Sequence, residues 1–285
     1  MHAHPALGRH RAGAGWRPLT QTLRSSCALV GLSVASCNVR TPAVVSAPAA
    51  SVTSASRATS KYAAHAVPLS RDNDYFRGAR APDFWTLVPY YVGQPDAVSC
   101  SLASLTMLVN SARHAWPLSS EHPLVTPSLL QERIRSPAWD EGLAPGGQGV
   151  TLDQLAELTT LSLRAFGVAH ARVEATHVPD PSAAALSRLR QRLSASEASA
   201  SDWVVLNFFA GAYVGTGDYG HIAPVAAFDA VRKRVLVLDP DRTWYEPYWI
   251  PDEVALVGMA TPDSVTGQPR GYLYVSSCGG EGCAR

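Results

Sequence analysis

One cysteine stands where a thiol becomes a nucleophile. Residues 94–109 run Gln94-Pro95-Asp96-Ala97-Val98-Ser99-Cys100-Ser101-Leu102-Ala103-Ser104-Leu105-Thr106-Met107-Leu108-Val109, a turn feeding an apolar helix. Cys100 falls in the first turn of that helix. Unpaired N–H groups and the positive end of the helix dipole favour the thiolate there, and the thiolate is the nucleophilic form. Gln94, on the loop leading in, carries an amide that could donate to the oxyanion formed as a thiolate attacks a carbonyl. A cysteine opening a core helix is more commonly a small buried hydrophobe, so this stretch alone leaves both readings open.

The second half of the chain supplies partners. His221–Phe228 (HIAPVAAF) and Arg234–Asp239 (RVLVLD) read as two strands joined by a turn. With the turn centred on Ala230, His221 and Asp239 oppose each other directly, and such residues have Cβ atoms roughly 4.5–5.5 Å apart. A carboxylate then lies within reach of an imidazole. Taken singly, His221 reads as a strand-end histidine bonded to solvent, and Asp239, before Pro240, as turn chemistry. Taken together, Gln94, Cys100, His221 and Asp239 are an oxyanion donor, a thiol nucleophile, a base and its orienter, the papain-type set for acyl transfer.

The elements that must position them follow in order. Phe84–Tyr91 (FWTLVPYY) is aromatic and β-prone. The Cys100 helix carries an apolar stripe at 102, 105, 108, 109 and 112. Thr126-Pro127 opens a short helix to about Arg135, and residues 137–149 form a Gly/Pro loop. Thr151-Leu152-Asp153-Gln154 is a capping box before a helix with Leu152, Leu155, Leu158 and Leu161 on one side. Asp180-Pro181 caps another, with Leu186, Leu189 and Leu193 spaced for packing. Trp203–Phe209 is a buried-strand run, Gly211–Gly220 a loop, 251–259 a short helix and Tyr272–Val275 a last strand. Helices first and an antiparallel sheet after is an α+β layout.

The 285 residues carry a net charge of +1 and are 46% apolar, which offers no field for nucleic acid and enough apolar chain for one core. Residues 1–37 hold four arginines and no acid; the remainder has 20 basic against 23 acidic residues, a net of −3. Cys27–Ser36 is an apolar run of signal-peptide length, too short to span a bilayer, and it ends in small residues before Cys37. This resembles a bacterial lipoprotein signal in which Cys37 is lipidated; a plain secretory signal and an unstructured extension are the alternatives. Residues 38–75 read as an Ala/Ser/Pro-rich disordered tether, 76–277 as the catalytic domain and 278–285 as a flexible tail. The chain is therefore expected in the periplasm, touching a membrane only through a lipid anchor. Five cysteines, at 27, 37, 100, 278 and 283, are too few for a disulfide framework.

These motifs resemble the phytochelatin synthase family, a clan relative of papain. Its Gln, five residues, then Cys-Gly-Leu-Ala-Ser-Leu is matched by Gln94, Cys100, Leu102, Ala103, Ser104 and Leu105. Its Gly-His-x-Ser/Ala-Pro is matched by Gly220, His221, Ala223 and Pro224. Its Leu-Asp-x-x-Arg-x-x-Tyr-x-x-x-Trp-Val is matched by Leu238, Asp239, Arg242, Tyr245, Trp249 and Ile250. Gly149-Val150-Thr151 and Arg270-Gly271-Tyr272 also fit, so the likeness covers about 80–276.

The resemblance implies a papain-like fold and a glutathione γ-glutamylcysteinyltransferase. Cys100 would be the nucleophile, His221 the general acid/base, Asp239 its orienter and Gln94 the oxyanion donor. The acyl group passes to a second glutathione, commonly a heavy-metal thiolate, or to water. Cadmium or zinc ions would enter as co-substrate or activator, with no bound cofactor and no protein metal site. Substrate contacts would come from Arg242, Ser101 and Tyr245, Arg242 alternatively supporting Asp239 or forming a surface ion pair. Many relatives of this fold pair into homodimers.

Ser101 departs from the family's glycine, and its side chain would either crowd the acyl pocket or alter the backbone beside the nucleophile. Cys100 is the only cysteine between 38 and 277, as in short bacterial relatives that tend toward hydrolysis. Two other readings stand beside this one: a papain-like peptidase that trims leader peptides, and a non-catalytic exported thiol-binding protein.

Overall fold

The computed structural model describes residues 60–277; the expected signal segment, Cys37, most of the tether and the Cys278–Cys283 tail lie outside the described residues. In chain order the elements are β1 (Val67–Pro68), α1 (Pro82–Leu87), α2 (Cys100–Ala112), α3 (Pro127–Arg133), α4 (Pro137–Gly142), α5 (Leu152–Ala165), β2 (Arg172–His177), α6 (Ala183–Glu197), β3 (Asp202–Phe209), α7 (Ala210–Val214), β4 (Gly220–Asp229), β5 (Arg234–Val237), β6 (Tyr248–Pro251), α8 (Asp252–Met259) and β7 (Gly271–Ser276). The seven strands form one antiparallel sheet in the order β1-β6-β5-β4-β3-β7-β2. The class is α+β, as the sequence indicates.

Period-two alternation sends β3 residues to both faces. Trp203 and Val205 join a core built with α2, α3 and α5. Val204, Leu206 and Phe208 join a second core with α6, α7 and α8. Helices therefore cover the sheet on both faces, and only part of that layering follows from the order of elements along the chain.

Helix α2 runs through the first core, and every residue from Cys100 to Ser111 is buried. A helix apolar on one stripe has no use for burial all round, so its polar residues must find partners. They do. Asn110 bonds both backbone groups of Val125 across the gap to α3. Ser111 Oγ donates to Thr86 O, 2.8 Å away. Ser104 Oγ donates to Ile222 O at 3.0 Å, which fixes the cysteine helix against the histidine strand.

The caps at Thr126 and Thr151 form as read: Thr126 Oγ1 accepts from Leu129 N, and Thr151 and Gln154 close a reciprocal capping box. Five expectations change: Ala210–Val214, at the start of the expected Gly211–Gly220 loop, is the short helix α7, Ser182 rather than Asp180 caps α6, and three more concern longer stretches. Phe84–Tyr91 is helical, α1 followed by a 3-10 turn, because Pro82 and Pro89 each open a helical turn and the aromatic rings pack sideways. Residues 137–142 form α4, and the loop proper is 143–149. Its return is tight enough that a Cβ on Gly142 would sit 2.1 Å from Gly149 O. Finally, 60–75 is not a free tether. Val67–Pro68 pair with Trp249 and Tyr248, Ala66 is buried, and the Tyr62 ring packs edge-on against Tyr245 and Tyr248.

Candidate active site

The β4–β5 hairpin does not have the expected register. Asp229 pairs with Arg234, Phe228 with Val235 and Ala227 with Leu236, but a bulge follows and Val225 pairs with Val237. The shifted register continues as Leu238 N donates to Pro224 O. The extra residue reverses parity. Without it, Asp239 would share a face with Pro224, away from His221. With it, His221 and Asp239 lie on one face as diagonal neighbours, not as a directly opposed pair.

Their side chains meet there. His221 Nε2 lies 2.7 Å from Asp239 Oδ1, and both groups are almost fully buried. The carboxylate takes two more donors: Asp241 N at 2.8 Å on the same oxygen and Tyr248 Oη at 2.9 Å on the other. Phe208, directly across the ladder, and Tyr219 meet the imidazole edge-on and hold its plane. With Nε2 committed to Asp239, Nδ1 remains for the Cys100 thiol, which is near enough to help raise the ring's hold on its proton.

Burial alone would push the imidazole down. The charge and hydrogen bond of Asp239, helped by Cys100, overcome it, and His221 is raised well above its ordinary value. Burial would likewise raise Asp239, but the His221 charge and the three donors hold it below the usual carboxylate range. The pair is an imidazolium–carboxylate couple in a dry setting, which is costly unless every lone pair is satisfied. Here every carboxylate oxygen is.

Cys100 and His221 open onto a cavity of about 350 Å³. Asn207, Asp263 and Arg270 also line it. Arg270 is buried; its Nη1 donates to Thr261 Oγ1 and to Pro262 O, while Nε has no partner among the described residues. Its nearest acid is Asp263, at 3.9 Å. Burial pushes the guanidinium below its usual value despite that acid. Gly220 makes room: a Cβ there would sit 2.8 Å from Arg270 Nη2. Sequence reasoning noted Arg270-Gly271 only as a motif. Asn207 and Asp263 carried no periodic or spacing signal, and Tyr248 was hidden inside an aromatic run.

Three residues expected at the substrate lie elsewhere. Ser101 is buried behind the nucleophile, its Oγ accepting the Trp139 indole N–H at 3.1 Å. The hydroxyl thus fills a core position and does not crowd the cavity. The Arg242 guanidinium stacks 4.4 Å above the Tyr91 ring, and Tyr91 Oη donates to Asp239 O, so Arg242 supports the aspartate loop. Tyr245 is buried among Tyr62 and Tyr248. Gln94, expected as the oxyanion donor, is tied by its backbone N–H to Pro240 O at 2.8 Å, beside that same loop, and its Oε1 is buried without a hydrogen-bond partner among the described residues. Among the described residues no group of three or more His, Cys, Asp or Glu side chains is arranged to hold a metal.

A thiol at a helix N-terminus, served by a buried histidine and aspartate on an antiparallel sheet, defines the papain-like class. Within that class, the family model for phytochelatin synthase matches residues 72–272, and the chain belongs to the phytochelatin synthase family. It is similar to glutathione gamma-glutamylcysteinyltransferase 3 of Lotus japonicus, 28% identical over 201 residues, which covers 68% of this chain and 37% of that protein. Glutathione gamma-glutamylcysteinyltransferase 1 of Arabidopsis thaliana is 24% identical over 212 residues, 72% of this chain and 39% of that protein. The enzyme of that name from Schizosaccharomyces pombe is 38% identical over 60 residues, 21% of this chain and 14% of that protein. The chain spans about two fifths of the length of the plant relatives it matches.

Proposed function

We propose that the chain is a glutathione γ-glutamylcysteinyltransferase. The observation that carries this is the His221–Asp239 couple set against Cys100 in a cavity that a guanidinium and a carboxylate also line. The γ-glutamyl end of glutathione is a zwitterion, with an α-carboxylate and an α-ammonium. Arg270, with its unpartnered Nε, fits the first and Asp263 the second, while Asn207 offers both a donor and an acceptor.

With that end anchored, the Cys–Gly amide reaches the thiolate. Cys100 Sγ bonds to the carbonyl carbon and the negative charge passes to the carbonyl oxygen. The free N–H groups of the first turn of α2 are the nearest donors for it, with the Gln94 amide as the family's additional one. The C–N bond breaks, His221 gives its proton to the departing glycine nitrogen, and a thioester remains. The raised basicity of His221 suits this step, because the ring must hold a proton at neutral pH. Asp239 keeps the ring oriented and compensates its charge. In the second half-reaction His221 takes a proton from the incoming α-amine of a second glutathione, or from water, as that group attacks the thioester. The acceptor glutathione would arrive as a cadmium or zinc thiolate. In the cell the enzyme would act in the periplasm after export by residues 1–37, with Cys37 as the lipid attachment point.

Product analysis with glutathione tests this reading, with and without cadmium. The expected result is glycine release that Cys100→Ala abolishes. γ-Glutamylcysteine alone marks hydrolysis, and longer (γ-Glu-Cys)n-Gly chains mark transfer. If no glycine appears under either condition, the proposal fails and the leader-trimming peptidase reading takes its place.

A further inference from the structure

Helix α2 has a second functional end. Its C-cap residue is Arg113, and beyond it lies a cleft of about 550 Å³ between the ends of α2, α3 and α5, larger than the cavity at Cys100. Arg113 is 7% exposed, and its Nε is buried without a hydrogen-bond partner among the described residues. A second guanidinium, Arg133 at the end of α3, lines the same cleft. Both lie over the Phe166 ring, at 5.8 Å and 5.1 Å from its centroid, so no more than the sum of those distances separates them. Trp116 closes one side against Gly167, where a Cβ would come within 2.9 Å of the indole.

An arginine at a helix C-terminus complements the dipole, and that accounts for part of this arrangement. Arg113 Nη1 donates to Pro123 O and Arg133 Nη1 to Ala165 O. Neither bond accounts for Arg113 Nε. No ion pair reaches either guanidinium among the described residues: Glu121 lines the mouth of the cleft, exposed, and pairs with neither. His122 stacks on Trp116 and supplies no negative charge. Burial, with the like charge of Arg133 added, pushes Arg113 below its usual value, which only the nearby Tyr90 opposes. Two cations lining one cleft, one of them buried and with an idle donor, are a poor arrangement by themselves and a good one around an anion.

We propose that this cleft binds a small anion carrying a carboxylate or phosphate group, held between Arg113 Nε and the Arg133 guanidinium with its body against Trp116 and Phe166. The site is about 20 Å from Cys100, the length of the thirteen-residue helix. It is separate from the cavity proposed for glutathione.

The test is a titration of the full chain, labelled with nitrogen-15, at constant ionic strength in chloride, first with inorganic phosphate and then with glutarate. The readout is the Nε–H resonance of Arg113, assigned through its own side-chain correlations. The expected result is a saturable shift with at least one of the two anions, phosphate alone marking a tetrahedral ligand and glutarate alone a carboxylate one. Arg133→Gln, an exposed change that leaves the fold intact, should weaken that binding about tenfold or more, the worth of one charge-assisted hydrogen bond. No saturable shift with either anion overturns the proposal. So does a shift that Arg133→Gln leaves at full affinity.

Discussion

The two ends of α2 treat charge in opposite ways. At the N-terminus the buried imidazolium of His221 meets a carboxylate, and that carboxylate meets two further donors, so no charge there is left over. At the C-terminus two guanidiniums face a cleft with no carboxylate bonded to them, and one keeps an idle buried N–H. The His221–Asp239 couple is complete in itself, as suits a group that must present one proton in one direction. The other end is incomplete without a ligand. A single helix thus joins the site proposed for chemistry to the cleft proposed for capture.

The contrast can be broken from the paired end, in order of size. Cys100→Ala should remove glycine release entirely while the protein still unfolds cooperatively. Asp239→Asn should lower kcat about 10²–10⁴-fold, the range of general acid–base catalysis. It should also move the alkaline limb of the pH–rate profile down, because Asp239 is what holds the His221 proton on.

The same couple links stability to pH. His221 is raised in the fold, so its contribution is full below the unfolded imidazole value and is lost as pH rises through the folded one. Asp239 is lowered, so its contribution is present above the unfolded carboxyl value and is lost as pH falls through the folded one. The denaturant midpoint of the wild type should therefore exceed that of Asp239→Asn most between about pH 4 and 6.5. A gap that does not vary with pH would contradict the pairing.

Smaller changes sharpen the same comparison. Tyr248→Phe removes one donor from the carboxylate; it should cost about 1.5–3 kcal/mol in stability and slow glycine release less than Asp239→Asn, with KM unchanged. Ser101→Ala leaves the Trp139 indole without its partner and should cost about 1–3 kcal/mol, again with KM unchanged. A raised KM would return Ser101 to the substrate. Arg133→Gln, at the other end, should leave glycine release as it is.

The sequence made the Cys100, His221 and Asp239 cluster legible because each member sits in a local signal: a helix start, a strand start, an aspartate before proline. The geometry joining them was less legible. Asp239 reaches His221 through a bulge at Ala226, and nothing in the alternation of HIAPVAAF marks where one residue drops out of register. Three strands, β1, β2 and β6, were missed, two of them for a related reason. A two-residue strand and a four-residue one after a turn have too little period to show, and both are held by their neighbours in the sheet. The Ser101 side chain was assigned to the pocket by adjacency to Cys100. On a helix, however, the next residue turns about 100° away, and here it turns into Trp139. Arg113 gave no signal at all, since a buried guanidinium and a surface one are the same letter.

The central claim is that Cys100 takes up the γ-glutamylcysteinyl group. The direct measurement is intact-protein mass after mixing with glutathione and quenching in acid within one turnover. The account predicts an adduct on Cys100 with the mass of γ-glutamylcysteine less water, accompanied by one glycine for each adduct and absent from Cys100→Ala. If the only adduct has the mass of whole glutathione less two hydrogens, a mixed disulfide, then the thiol binds glutathione without opening its amide, and the account is wrong.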